Sequence, residues 1–275
     1  MFGFSKRRRR RKVRTSPFPD PWRTFLLESF PIYARLHEAD RAELEGHILV
    51  FLAEKRFEGC GGFAITDEVR VLIAAQACLL LLHRDTDYYP NLRSILVYPE
   101  AYVAKTRWRE EEEDTAAHER ARVGESWQTG AVVLAWSSCL AGAVDVEDGQ
   151  NVVFHEFAHQ LDQEDGAADG TPPLEASGFR ERRGRFRTWA RVMSGEYEQL
   201  RLGSSSGQAS VLDRYGATNP AEFFAVATEC FFEQPRKMKV RHPLLYEELQ
   251  RFYQQDPAGF ECEGPADSDL QSRTS

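Results

Sequence analysis

Apolar residues recur at the three-to-four-residue spacing of helices through most of this chain, while strand-like segments are short and few. Leu44, Ile48, Phe51 and Leu52 fall on one helical face. Asp40, followed three residues later by Glu43, predicts the capping box that starts this helix. Thr66 or Asp67 caps the next helix, which carries an apolar run to Leu82. Gly59, Gly61 and Gly62 mark the turn between the two. Ile95–Tyr98 and Val132–Trp136 are rich in β-branched and aromatic residues and predict strands. In the second half, helices are expected from about Gln150 to Glu164, within Phe179–Leu200, from Asn219 onward, and over Pro243–Gln254. Gly203–Ser210 (GSSSGQAS) predicts a flexible linker. The pattern is that of a mainly helical α+β protein with a small sheet.

Composition changes the picture mainly at the ends. The 275 residues are 42% apolar and 28% charged, enough to bury a core within one large domain. The net charge of −8 argues against a nucleic-acid protein as a whole. The basic run Lys6–Lys12 is the exception. It predicts a disordered basic arm over residues 1–16, the one segment suited to nucleic acid or anionic lipid. A polar tail over 256–275 is also expected to be disordered. Between them, 17–255 is expected to form a single domain, with a helical part at 17–90 and a site-bearing part at 91–255. Arg109–Glu113 (REEEE) is a charged loop or solvated helix face. No export peptide follows the arginines, because Pro17, Pro19 and Pro21 break the next segment. Val69–Leu82 contains Arg70 and Gln76 and is too short to span a bilayer, so no integral membrane segment is expected. The five cysteines are odd in number and lack metal-type spacing, which suits reduced thiols in the cytoplasm.

The chemistry concentrates at Val153–Asp162 (VFHEFAHQLD), which holds HExxH inside an apolar helix. One helical turn brings His155 and His159 to the same face, where both nitrogens reach one zinc ion. Glu156 is displaced from that face and suits a general base that takes a proton from a metal-activated water. A third ligand is required. Residue 165, where an extended histidine motif would place it, is Asp165. His242 precedes Pro243 and suits a helix start. The third ligand is therefore expected among Asp162, Asp165, Asp169, Glu175, Asp213, Glu222 and Glu229. Glu222 is preferred, near the start of the apolar helix Asn219–Phe232, although Asn219 and Pro220 explain it equally well as half of a capping box. Glu229, two turns on, suits either a ligand or a partner of a histidine. Asp213 remains as a loop ligand. Asp162 suits orienting an imidazole. Val132–Trp136 suits an edge strand for an extended peptide.

His155–Asp162, Gly124-Glu125-Ser126-Trp127 before the valine-rich strand, Thr66–Leu82 and Asn219–Phe232 together resemble the Mlc titration factor A family of zinc-dependent peptidases, over about residues 20–255. The resemblance implies a zincin-like fold related to the anthrax lethal factor catalytic domain, of the HExxH-plus-glutamate (gluzincin-like) kind. It implies one zinc per chain on His155, His159 and Glu222, with Glu156 as base and Tyr215 stabilising the oxyanion. It further implies peptide or protein substrates, aminopeptidase-like action, and binding to a transcriptional repressor of the Mlc type that governs sugar uptake. It does not extend to the basic arm or the tail. The rival reading is a non-catalytic, repressor-titrating protein with a structural zinc site.

Overall fold

The computed structural model describes residues 2–100, 130–206 and 210–260. The family-like motif at Gly124–Trp127, the charged run Arg109–Glu113 and Cys262 lie outside the described residues. Four helices come first: α1 (Phe2–Arg14), α2 (Asp20–Ser29), α3 (Pro31–Arg35) and α4 (Glu38–Glu54). Strand β1 (Arg56–Gly59), helix α5 (Asp67–Leu79) and strand β2 (Ser94–Tyr98) follow. Then come β3 (Ala131–Ala135), α6 (Trp136–Val144), α7 (Val152–Asp162), α8 (Phe179–Ser206), α9 (Pro220–Glu233), α10 (Pro235–Arg241) and α11 (Pro243–Tyr253).

The sheet is small, parallel and ordered β1-β2-β3, with Leu96 opposite both Glu58 and Val133. Parallel neighbours require a crossover, and α5 supplies it between β1 and β2. Ile95, Val97, Val132 and Leu134 point into the core in the alternation a half-buried strand requires. Among the described residues β3 lies at the edge.

Helix α5 forms the centre of the core. The Thr66 hydroxyl accepts from the Val69 N–H, and Asp67 and Glu68 complement the helix dipole in its first turn. Beyond Arg70 every residue to Leu79 is buried, and α5 packs on α2, α4, α6 and α7. Phe157 of α7 meets Phe51 and Tyr89 on one side, and Phe154 meets Phe232 on another. These rings wedge α7 between the N-terminal helices and α9. Cys78, Cys139 and Cys230 are buried free thiols, and burial pushes all three above the ordinary range. Among the described residues no helix is long and apolar enough to cross a membrane.

Several sequence expectations are corrected. The segment expected as a disordered arm is helix α1, packed on α4. Its cations meet acids far away in sequence: Arg10 bonds both Glu54 oxygens and Asp87, Arg14 bonds Glu43, and Lys6 bonds Asp87. Arg10 also lies 4.6 Å over the Tyr88 ring. Gly46 permits the close approach, because a Cβ there would sit 2.6 Å from Arg14 Cγ. Helix α4 starts two residues before Asp40, with His37 at its N-cap, and Glu43 faces His47, Arg14 and His83 instead of closing a capping box. Gly203–Ser206 continues α8 rather than beginning a linker. The first residues of the expected tail are ordered by Tyr246, whose hydroxyl bonds Asp256 and accepts from Ala258 N–H. Residues 261–275 lie outside the described residues.

Candidate metal centre

Two capped helices create the site. The Asn151 side chain accepts from Phe154 N–H and starts α7, and every residue from Val153 to Asp162 is buried. Asn219 does the same for α9 through Glu222 N–H, with Pro220 at the first helical position. Only the backbone half of that second capping box forms. The Glu222 carboxylate turns away from the cap and toward the histidines of α7.

His155 Nε2, His159 Nε2 and Glu222 Oε2 form a triangle with edges of 3.2, 2.9 and 3.4 Å. Ligand atoms at the corners of a tetrahedron around zinc, each 2.0–2.1 Å from the ion, stand about 3.3 Å apart. A set of two imidazole nitrogens and one carboxylate oxygen at this spacing therefore fits zinc, and all three residues are buried. Among the described residues no other of the candidate acids joins this cluster. Asp213 accepts from Tyr215 N–H, Asp165 from Ala167 N–H, Asp169 from Thr171 N–H, and Glu175 from Gln254.

Of the two parts the sequence offered Glu229, ligand or partner of a histidine, the structure shows the second. Glu229 Oε1 accepts from His155 Nδ1–H at 2.7 Å, and its Oε2 accepts from the Asn151 backbone N–H at 2.6 Å. That bond fixes the imidazole so that Nε2 faces the triangle. Asn151 ties the arrangement to the core: its Nδ2 donates to Gln76 Oε1 and to the Gly142 carbonyl, both at 2.9 Å. Gln76 in turn donates to the carbonyls of Leu72 and Cys139. Asn151 and Gln76 were missed in the sequence. The signal for Asn151 was its N-cap residue type just ahead of the apolar helix; Gln76 offered only a polar residue in an apolar run. Asp162 is fully buried, and its carboxylate accepts from Gly170 N–H at 2.9 Å. It braces the segment after α7 and does not orient an imidazole.

The electrostatics follow from burial and pairing. Burial alone would lower His155, but Glu229 and Glu222 outweigh it and raise it to about 10. Burial pushes His159 down to about 4. Burial would raise Glu222, yet its bonds to both histidines hold it well below the usual carboxylate range. One turn beyond Glu229, burial pushes Glu233 up to about 9. Glu156 is buried on the same turn as His155 and is near enough to raise both His155 and the Cys139 thiol. Tyr215 lies on a single 3-10 turn (Arg214–Ala217), and its ring centre is 6.0 Å from that of His155.

Residues 4–254 match the family described as glucose-regulated metallo-peptidase M90. The match begins inside α1, so the N-terminal helix belongs to the shared pattern that the sequence had stopped near residue 20. An uncharacterised protein of Synechocystis is 42% identical over 255 residues, covering 90% of this chain and 89% of its own. Proteins named Mlc titration factor A from Klebsiella pneumoniae and Escherichia coli are 32% identical over 246 residues, 86% of either chain.

Proposed function

Since the chain belongs to the glucose-regulated metallo-peptidase M90 family, we propose that it is a zinc-dependent peptidase in which His155, His159 and Glu222 hold one metal ion. The observation that carries this reading is the triangle of donor atoms, whose 2.9–3.4 Å edges suit a tetrahedral ion. Zinc bound there would supply Lewis acidity, activating a water and polarising a peptide carbonyl. Glu156 takes the proton from the water and returns it to the leaving amine. Tyr215 donates its phenol hydrogen bond to the carbonyl oxygen as negative charge gathers there. Glu229 holds the His155 ring in place through both changes. Strand β3, packed beside α7 and at the edge of the sheet among the described residues, offers backbone groups to an extended peptide. The arrangement is zincin-like, and aminopeptidase-like cleavage of short peptides is the activity we assign to it. Buried free thiols on three helices support a cytoplasmic setting.

Glu156→Gln tests the reading, because it preserves shape and all three metal donors. Zinc should remain at about one ion per chain, while peptide cleavage falls roughly 10²–10⁴-fold. Undiminished cleavage would overturn the mechanism. A second reading, repressor binding, is favoured by the name of the relatives, Mlc titration factor A. It is measured on the same preparation: an Mlc-type repressor that binds Glu156→Gln as well as the unaltered protein uses a surface independent of catalysis.

A further inference from the structure

The segment leaving α7 returns to touch the start of α9 at one residue. Gly170 N–H donates to Asp162, three residues after His159 on α7. Its carbonyl accepts from Trp189 Nε1 of α8 at 3.2 Å. Its backbone has φ of +77°, and a Cβ built there would stand 2.4 Å from the Pro220 carbonyl oxygen and 2.8 Å from the Pro220 carbonyl carbon. Pro220 opens α9, two residues before Glu222. Gly170 thus bears at once on the histidine helix, on α8 and on the first turn of the glutamate helix.

We infer that Asp162 and Gly170 are positioning residues that set the distance between the His155–His159 pair and the Glu222 carboxylate. The inference rests on the zinc reading above. Its force comes from tolerances. Metal–ligand distances hold within about 0.2 Å. A methyl group at position 170 needs about 1 Å more room than Pro220 leaves, since ordinary carbon–oxygen contact begins near 3.4 Å. A shift of that size at Pro220 is carried directly into the turn bearing Glu222. Asp162 is the fixed end of the brace, because it is fully buried within α7. Trp189, also fully buried, holds the opposite side of Gly170.

The same segment contains its own control. Gly166 has φ of +94°, so alanine is strained there too, but a Cβ at 166 would meet nothing within 4 Å. Gly166→Ala and Gly170→Ala therefore share the backbone strain and differ in the collision with Pro220. The experiment measures zinc affinity by chelator competition and the visible spectrum of the cobalt-substituted protein, which reports ligand geometry. Gly170→Ala should bind zinc 10–100-fold more weakly, with an altered cobalt spectrum, while Gly166→Ala stays within about twofold of the unaltered protein. Equal affinities and unchanged spectra in both variants would overturn the inference. Should Gly170→Ala fail to fold, Asp162→Ala, which removes the acceptor for Gly170 N–H, decides the question. It should weaken zinc at least about tenfold, and wild-type affinity with an unchanged cobalt spectrum would refute the brace. If the unaltered protein itself takes up no zinc, the zinc reading fails, and that outcome is distinct from either result.

Discussion

Replacing Glu229 by glutamine separates the orientation of His155 from its proposed ligation of zinc. The carboxylate serves two buried N–H donors, His155 Nδ1–H at 2.7 Å and Asn151 N–H at 2.6 Å. A glutamine side chain has one carbonyl oxygen and one NH2 group. It can accept from one of these donors, and its NH2 must face the other. One buried donor is thereby left unmet, at a cost of about 1–3 kcal/mol in folding stability. The lost negative charge also makes His155 a poorer ligand. Partners of this kind change metal affinity 10–100-fold, equivalent to about 1.4–2.8 kcal/mol. Zinc affinity by chelator competition and urea unfolding of the metal-free protein measure the two effects independently. Glu229→Ala should destabilise the fold further, since both donors lose their acceptor and a cavity opens. Unchanged zinc affinity and stability in Glu229→Gln would refute the bonded chain Asn151–Glu229–His155.

Glu222→Ala should release zinc while Asp213→Ala retains it; elemental analysis of variants matched for folding checks this, because losing Glu222 leaves the Asn219 cap intact. Arg10→Ala should lower stability by about 1–3 kcal/mol, as it strips charge-assisted bonds from Glu54 and Asp87; a melting temperature unchanged within a degree would show that α1 is not held by this contact. Burial pushes Asp162 up to about 7. A carboxyl raised in the folded state stabilises fully below its unfolded value near 4, and that contribution drains away as pH rises to about 7. The loss is on the order of 4 kcal/mol, so urea unfolding of metal-free Asp162→Asn should show a visibly flatter stability profile between pH 4 and 7.

What the sequence revealed depended on how far apart the interacting residues stand. His155 and His159 stand one turn apart, so spacing alone placed their rings side by side. Asn219 and Pro220 announced α9, but whether Glu222 capped the helix or faced the histidines was decided by tertiary placement. The sequence left Glu229 open between ligand and partner of a histidine, and read Asp162 as orienting an imidazole. Tertiary placement decided both, because each depends on a partner elsewhere in the chain, His155 in one case and Gly170 in the other. Strand β1 was invisible because it is only four residues long and mostly solvent-facing, with Phe57 alone half-buried. Helix α1 looked disordered from its charge alone, since the acids that receive it are scattered over Glu43, Glu54 and Asp87. Glycine and serine suggested a break at Gly203, yet α8 continues to Ser206.

The bonds that join Gln76, Asn151 and Glu229 also constrain the order in which the chain can mature. Their members lie 75 and 78 residues apart, so none of these bonds is available to a locally folded piece. During synthesis α5 leaves the ribosome well before Asn151, and α7 well before Glu229. Until α9 arrives, the N–H of Asn151 and the Nδ1 of His155 lack the acceptor they hold in the finished protein. The HExxH helix is thus an unfinished surface for much of the chain's emergence, and it closes only as the last helices dock. A fragment beginning at residue 130 would keep every proposed metal donor but would lack Gln76, the anchor that receives Asn151. Ability to take up metal should therefore appear late, with the completed chain.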